Sequence, residues 1–174
     1  GDLLARELIS EGYKVVGVMY DDSKLRAEHA IAVTEEETLP FRGSKYIQSY
    51  TLEAMKSVVK QCRDEKYAVF GTPCQIYALS KLAEMKKVRE NFFFVDLYCH
   101  GCPSMHIWEK YQDYVKKKLN IEHFDKVVFR SKIKGWGAFY VVIIEVDGKP
   151  VFKSNPKEDG FYEFRFDFKA LESG

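Results

Sequence analysis

The stretch KYAVFGTPCQIYALSKLAEM, residues 66–85, decides the fold. It opens with strand-forming residues, turns at Gly71 to Pro73, and continues with apolar residues spaced three apart. These helical positions are Ile76, Leu79 and Leu82. The pattern predicts a buried strand, a tight turn and an amphipathic helix. Pro73 suits the first helical turn because its φ is fixed and its missing N–H is not needed there.

The same order of elements recurs directly downstream. NFFFVDLY (91–98) reads as a strand, CHGCPS (99–104) as a turn, and MHIWEKYQDYVKKKL (105–119) as a helix. The expected buried face of that helix is Ile107, Trp108, Tyr111, Val115 and Leu119. Strands that alternate with helices predict an α/β fold.

The N-terminal third adds further elements to this unit. Residues 2–10 predict a helix that ends at Gly12 and buries apolar side chains on one face. That face consists of Leu3, Leu4, Leu8 and Ile9. Two antiparallel strands (14–20 and 25–33) should follow, then a short helix that Pro40 ends, then a loop. Residues 52–65 predict another helix with Thr51 as its cap.

The C-terminal third has a different pattern. FDKVVFRSKI (124–133), GAFYVVIIEV (137–146) and KPVFKSN (149–155) are rich in β-branched and aromatic residues, with a hairpin signal at Asp147. We therefore predict an α/β fold in which helices flank a mixed central sheet, with an antiparallel meander from about Phe124 onward. Ligands of such sheets bind at the carboxyl ends of the strands.

Composition narrows the classes of function. The chain has 27 basic and 26 acidic side chains, so no net field attracts nucleic acid or an anionic membrane surface. It contains no apolar run long enough to span a membrane and no signal-peptide pattern. We expect one cytoplasmic domain, residues 1–174, that acts on a small molecule. Because the chain starts at Gly1 without a methionine, we expect it to be a piece of a longer protein.

Three motifs have both a functional and an ordinary reading. The turn at Gly71–Gln75 places helix N–H groups where phosphate or carboxylate binds, or it is only an efficient turn. The loop at Arg42–Tyr46 offers two cations, a hydroxyl and an aromatic ring for a phosphorylated ring cofactor, or it is an exposed polar loop. The basic and aromatic side chains of the FRSKIKGWG segment (129–137) line a pocket, or they are only exposed side chains at the end of a strand.

YCHGCPS (98–104) allows three interpretations. Cys99 and Cys102 stand at the spacing of half a metal site, with His100 and His106 as further ligands. They also form a possible dithiol pair, although Pro103 follows both cysteines and a thioredoxin-type pair starts the helix. The third reading is a strand-to-helix turn that faces a ligand, with incidental cysteines.

Four segments taken in order resemble the coenzyme F420 hydrogenase/dehydrogenase beta-subunit family. They are RGSKYIQS (42–49), VFGTPCQIYALSKL (69–82), VDLYCHGCPSMHIWEKY (95–111) and FRSKIKGWGAF (129–139). The opening GDLLARELISEGYKVVGVMYDD (1–22) is also similar to the family's start. The resemblance assigns residues 1–85 to the family's N-terminal part and 86–174 to the start of its C-terminal part.

The resemblance implies a flavoprotein segment of a larger oxidoreductase. Family members bind FAD and move electrons or hydride between iron–sulfur clusters and a soluble carrier or substrate, which is coenzyme F420 in archaeal members. A redox partner protein or a soluble electron carrier is therefore expected. The family's iron–sulfur cysteines belong to segments that this sequence does not include, so the clusters are expected only in a longer protein.

Carried over residue by residue, the resemblance implies a set of cofactor contacts but no catalytic side chain and no metal ligand. The contacts are Arg42, Gly43, Ser44, Lys45, Tyr46, Gly71, Thr72, Pro73, Cys74, Gln75, Cys99, His100 and Gly101. Cys102 stands where the family usually has an aliphatic residue, so it is not a shared cluster ligand. Two alternatives stay open: a non-redox scaffold or binding domain associated with polysaccharide biosynthesis, and a thiol or metal site at Cys99 and Cys102.

Overall fold

The computed structural model describes residues 1–99, 101–129 and 142–154. Contacts among them divide the chain into two units. The first contains Gly1–Asp21, Arg26–Arg42 and the residues from Ser49 to Cys99. The second contains Asp22–Leu25, Gly43–Gln48 and the described residues from Gly101 onward. The prediction of a single domain stays a prediction.

The first unit is built on a five-stranded mixed sheet. Its elements in chain order are α1 (Asp2–Ser10), β1 (Lys14–Asp21), β2 (Arg26–Ala32), a 3₁₀ helix (Glu36–Phe41), β3 (Ser49–Tyr50), α2 (Leu52–Gln61), β4 (Tyr67–Gly71), α3 (Pro73–Lys86), a 3₁₀ turn (Arg89–Asn91) and β5 (Phe92–Asp96). The strand order is β3-β2-β1-β4-β5. Only β1 and β2 pair antiparallel, and the other neighbours pair parallel. The predicted mixed sheet and the antiparallel pair are thus confirmed.

Helices cover both faces of this sheet. Side chains of consecutive strand residues point to opposite faces, which separates Val15 from Val16 and Ala68 from Val69. Val16 and Val69 pack with residues of α2 and α3, including Val58 and Leu79. Val15 and Ala68 pack with residues of α1, including Leu8. The sheet therefore has an α2/α3 face and an α1 face.

The second unit combines one helix with a three-stranded antiparallel sheet. Its elements are α4 (Met105–Leu119), β6 (Lys126–Val128), β7 (Ile143–Val146) and β8 (Lys149–Lys153), and the sheet order is β6-β7-β8. Asp147 and Gly148 have φ of 51° and 70°, the left-handed conformation of the hairpin turn that the sequence predicts. Trp108 of α4 packs against Phe129 with ring centroids 5.2 Å apart. The predicted meander is confirmed for its described residues.

Three local predictions were wrong. Leu3 and Leu4 are 82% and 39% exposed, because α1 turns Ala5 and Leu8 toward the sheet instead. Pro40 lies inside the 3₁₀ helix rather than ending it, since the bonds from Thr38 to Glu35 and from Arg42 to Leu39 do not need its N–H.

The third local error concerns the segment predicted as a loop. Ser49–Tyr50, at its end, forms strand β3 and pairs with β2. Within the described ranges, no helix is both long and apolar enough to cross a membrane.

Candidate functional site

The carboxyl ends of β4 and β5 lie side by side in the first unit. Gly71 pairs with Asp96 in the parallel ladder, and the Gly71 carbonyl accepts a hydrogen bond from Leu97 N at 2.9 Å. Two of the predicted segments, Gly71–Gln75 and the residues leading to Cys99, therefore start from adjacent points on one sheet edge. Cys74 and Cys99 are both exposed there.

The turn at Gly71–Gln75 is tight because its residues form hydrogen bonds with one another. Thr72 is the N-cap, Pro73 is the first helical residue, and Thr72 N–H donates to Gln75 Oε1 at 3.0 Å. The Cys74 sulfur lies 3.3 Å from the Thr72 hydroxyl oxygen. A Cβ on Gly71 would come within 3.2 Å of Ile76 Cδ1, so the glycine lets α3 pack closely on the strand. The exposed first turn of α3 presents the positive end of its helix dipole, which suits an anion.

Arg42 is also in the first unit, but its neighbour Phe41 packs on the α1 face of the sheet, whereas α3 packs on the α2/α3 face. Phe41 joins the apolar cluster on the α1 face and covers Gly17, where any Cβ would collide with the Phe41 ring. The Arg42 guanidinium donates to both carboxylate oxygens of Asp2, at 2.9 and 2.8 Å. This bidentate bond lowers the pKa of Asp2 and raises that of Arg42. An anionic ligand at Arg42 would have to share the guanidinium with Asp2.

The other described contacts predicted from the resemblance belong to the second unit. Gly43 has a φ of 79°, Ser44 is exposed, and Tyr46 is half-buried. Lys45 is half-buried as well, and burial lowers its pKa from 10.5 to about 8.

One hydrogen bond connects this loop to the segment before α4. Gln48 N donates to the Pro103 carbonyl at 3.2 Å, which brings the loop near the segment that contains Gly101. Apart from Arg42, the described predicted contacts thus fall into two pairs of segments, one pair in each unit. His100 lies outside the described residues, as do Arg130, Lys132 and Trp136.

The metal reading of YCHGCPS gains no support from the described residues. Among them, no group of three or more histidine, cysteine, aspartate or glutamate side chains is placed to hold a metal ion. An open cleft of about 370 Å³ in the second unit contains none of the predicted contacts; its lining residues are Asp22, Ser23, Leu25, His123, Phe124 and Asp125. The carboxylates of Asp22 and Asp125 accept hydrogen bonds from backbone N–H groups of Val127 and Asp147.

A buried histidine is missing from the predicted set. His29 lies in β2 with its side chain 7% exposed, on the same face of the sheet as Ile31. Burial lowers its pKa below 6.5, and the backbone of Tyr50 partly offsets this effect. Its signal in the sequence is the alternation of LRAEHAIAV (25–33), which puts a histidine at an inward position between Ala27 and Ile31.

Comparison with known proteins identifies the family. The family model for the C terminus of the coenzyme F420 hydrogenase/dehydrogenase beta subunit matches residues 64–160, more than half of the 174-residue chain. The chain belongs to the coenzyme F420 hydrogenase/dehydrogenase beta-subunit family. The match includes the β4–α3 turn and the segment from β5 to α4, so the resemblance expected from these segments is confirmed.

Two curated relatives are archaeal. The chain is 40% identical over 52 residues to coenzyme F420 hydrogenase subunit beta of Methanococcus voltae, covering 30% of this chain and 19% of that protein. It is 35% identical over 113 residues to an uncharacterized protein of Methanocaldococcus jannaschii, covering 59% of this chain and 29% of that protein. The chain thus spans less than a third of either relative.

A solved structure shares the fold. A chain of the F420-reducing [NiFe] hydrogenase complex from Methanosarcina barkeri superposes with a TM-score of 0.61 at 19% identity. The match covers 91% of this chain and 54% of that chain. At this identity the likeness establishes the fold alone.

Proposed function

We propose that the chain is the flavin-binding segment of an oxidoreductase. Bound FAD would exchange single electrons with iron–sulfur centres, held in segments outside this sequence, and electrons or hydride with a soluble carrier or substrate. Membership of a family of hydrogenases and dehydrogenases supports an oxidoreductase role. Coenzyme F420 is the carrier we propose to test first, because the M. voltae relative is named for it.

The β4–α3 turn is the observation that carries the proposal. Its exposed helix N-terminus lies at the carboxyl end of a parallel strand, where α/β proteins bind dinucleotides. Thr72 N–H donates to Gln75, Pro73 has no N–H, and Gln75 N–H donates to the Thr72 carbonyl. The turn therefore offers a phosphate the Cys74 N–H and the positive end of the helix dipole, without a cationic side chain. We assign the flavin phosphates to this turn and propose Cys99 as a further contact on the same sheet edge.

The protein's part in the reaction is to bind and orient the cofactor. Bound FAD would supply the electron-transfer chemistry. Gly71 lets the helix start close to the strand, and Gln75 fixes the turn by accepting from Thr72 N–H. Arg42, Gly43, Ser44, Lys45, Tyr46, His100 and Gly101 remain proposed contacts from the family resemblance. Lys45 is the cation among them whose lowered pKa an anionic ligand would raise again.

Two substitutions at one position test the assignment of the turn. Cys74→Asp places a carboxylate in the first turn of α3, where it repels a phosphate but favours the helix. Cys74→Asn has the same shape without the charge. We expect the aspartate variant to bind FAD about tenfold more weakly than the asparagine variant. Equal affinities, measured by quenching of flavin fluorescence, would show that no flavin phosphate binds at this turn.

The visible spectrum of the protein, purified at the length that its gene encodes, tests the flavin itself. We expect the bands of an oxidised flavin, either as purified or after adding FAD. A colourless protein that takes up no FAD would contradict the proposal and leave the scaffold reading. Metal content that falls in Cys102→Ser would instead establish a site at Cys99 and Cys102.

A further inference from the structure

His29 connects two neighbouring strands at one edge of the first unit's sheet. It lies opposite Val18 of β1, and its Nδ1 is 3.2 Å from the Ser49 hydroxyl oxygen in β3. Its Nε2 is buried and has no hydrogen-bond partner among the described residues. The imidazole therefore uses one ring nitrogen to hold β3 and keeps the other in a dry environment.

Strand β3 has few other attachments. It consists of Ser49 and Tyr50, which pair in parallel with Ala27 and Glu28 of β2. Apart from this short ladder, the His29 ring contacts the Ser49 hydroxyl and interacts with the Tyr50 backbone, which favours the protonated ring less than burial disfavours it. The Arg26 guanidinium also lies 4.1 Å from the centre of the Tyr50 ring. Short edge strands with few buried contacts open locally at low free-energy cost. Loss of the His29 contact should therefore affect β3 before the rest of the sheet.

A protonated His29 would need an acceptor for each ring nitrogen. Several titratable or charged side chains lie on the elements around it: Tyr20 on β1, Arg26 and Glu28 on β2, Tyr50 on β3, and Glu53, Lys56 and Lys60 on α2. The Glu28 carboxylate accepts from Arg26 at 3.0 Å, and the Glu53 carboxylate accepts from Lys56 at 3.1 Å. Arg26 and Glu28 also point to the face opposite His29. Both of these carboxylates thus already have cationic partners.

We propose that the His29–Ser49 contact is a pH-sensitive clasp, which holds β3 on the sheet while the imidazole is neutral and releases it when the imidazole binds a proton. Release exposes the edge of β2 and lets the ring reach water. This inference concerns the sheet edge only and does not depend on flavin binding.

The direction of the pH effect follows from linkage. Burial lowers the pKa of His29 in the closed state, whereas the open state has a pKa near 6.5. The open state therefore binds the proton more readily, and its population rises as the pH falls below 6.5. Over the interval between the two pKa values, the opening constant should rise about tenfold per pH unit. Above pH 6.5 it should be constant.

Amide hydrogen exchange of the full chain measures this opening. We expect exchange at Ser49 and Tyr50, corrected for its intrinsic pH dependence, to follow this rise in the opening constant, while Ala68 and Val69 in β4 stay protected. His29→Gln removes the titrating group, so its corrected exchange should not vary with pH. His123→Gln removes an exposed histidine and should keep the dependence.

Other results would overturn the clasp. They are equal corrected exchange at pH 5 and pH 7.5, a pH dependence that persists in His29→Gln, or parallel loss of protection in β4, which would indicate global unfolding. If His29→Gln does not fold, the NMR titration of His29 in the unmodified chain decides. Its midpoint must lie below 6.5, at the pH where the rise in exchange levels off, and a midpoint at or above 6.5 contradicts the clasp.

Discussion

The two strand-to-helix connections have similar sequences but different structures. Thr72 alone separates β4 from α3, whereas residues 97–104 separate β5 from α4. Glycine, proline and cysteine occur within or directly beside both connections, and both connections follow aromatic-rich strands. In the first connection Pro73 is the first helical residue; in the second, Pro103 is buried and Ser104 is the N-cap.

The comparison shows that glycine has a different role in each connection. Gly71 has an ordinary backbone conformation but little space, because a Cβ would lie 3.2 Å from Ile76. Gly101 has free space but a φ of 108°, which L-residues rarely adopt. The first connection is thus limited by packing and the second by backbone conformation. Four predictions, from the largest expected effect to the smallest, examine this difference.

Enlarging Gly71 should have the largest effect. In Gly71→Val the added methyl groups would collide with α3, and overpacking of this kind costs about 1–3 kcal/mol in the free energy of unfolding. Gly71→Ala is the matched control and should cost less than about 1 kcal/mol, because Ile76 can move by a few tenths of an ångström. Urea unfolding followed by circular dichroism gives both values. Equal costs would show that packing does not limit this turn.

Gly101→Ala should come next. Its cost is the strain of a positive φ, about 1–2 kcal/mol, although no atom lies within 4 Å of the new methyl group. Cys102→Ala, at the exposed neighbouring position, should change the free energy of unfolding by less than about 0.5 kcal/mol. If the two variants are equally stable in urea, the second connection does not need its glycine.

The helix caps should give smaller differences. Gln75→Ala leaves Thr72 N–H without its 3.0 Å acceptor, a loss of about 0.5–1.5 kcal/mol. Ser104→Ala removes a longer 3.4 Å bond to Ile107 N, so its cost should lie near the lower end of the usual capping range, about 0.5 kcal/mol. Gln75→Glu and Ser104→Asp keep an acceptor oxygen and should stay close to the parent protein in thermal unfolding. If Ser104→Ala loses more free energy of unfolding than Gln75→Ala, the cap of α4 contributes more to stability than the cap of α3, contrary to this prediction.

Local sequence patterns predicted most of the fold. The helix expected from MHIWEKYQDYVKKKL is α4, Met105–Leu119, because its apolar spacing and the cap Ser104 both act within a few residues. The order of strand, turn and helix likewise predicted β4, α3 and β5. In these elements the determining contacts are close in the sequence, so one segment contains enough information.

The remaining features depend on contacts between distant residues. Arg42 and Asp2 are 40 residues apart, and no local pattern indicates that a carboxylate occupies this guanidinium. The exposure of Leu3 depends on which side of α1 meets the sheet, and four apolar residues on a short helix allow more than one choice. The position of the candidate turn could be predicted from the sequence because its geometry is local. The surroundings of Arg42 and Lys45 could not, because they depend on residues far away in the sequence.

Alkylation of the cysteines should leave stability unchanged and compares the two connections directly. Cys74 at the first connection and Cys99 and Cys102 in the second are exposed, whereas Cys62, the C-cap residue of α2, is fully buried. Mass spectrometry after iodoacetamide should therefore find three labels on the native protein and a fourth only after unfolding. Protection of Cys99 and Cys102 that a chelator or a reductant reverses would establish a metal site or a disulfide there. The two connections would then differ in chemistry as well as in backbone geometry.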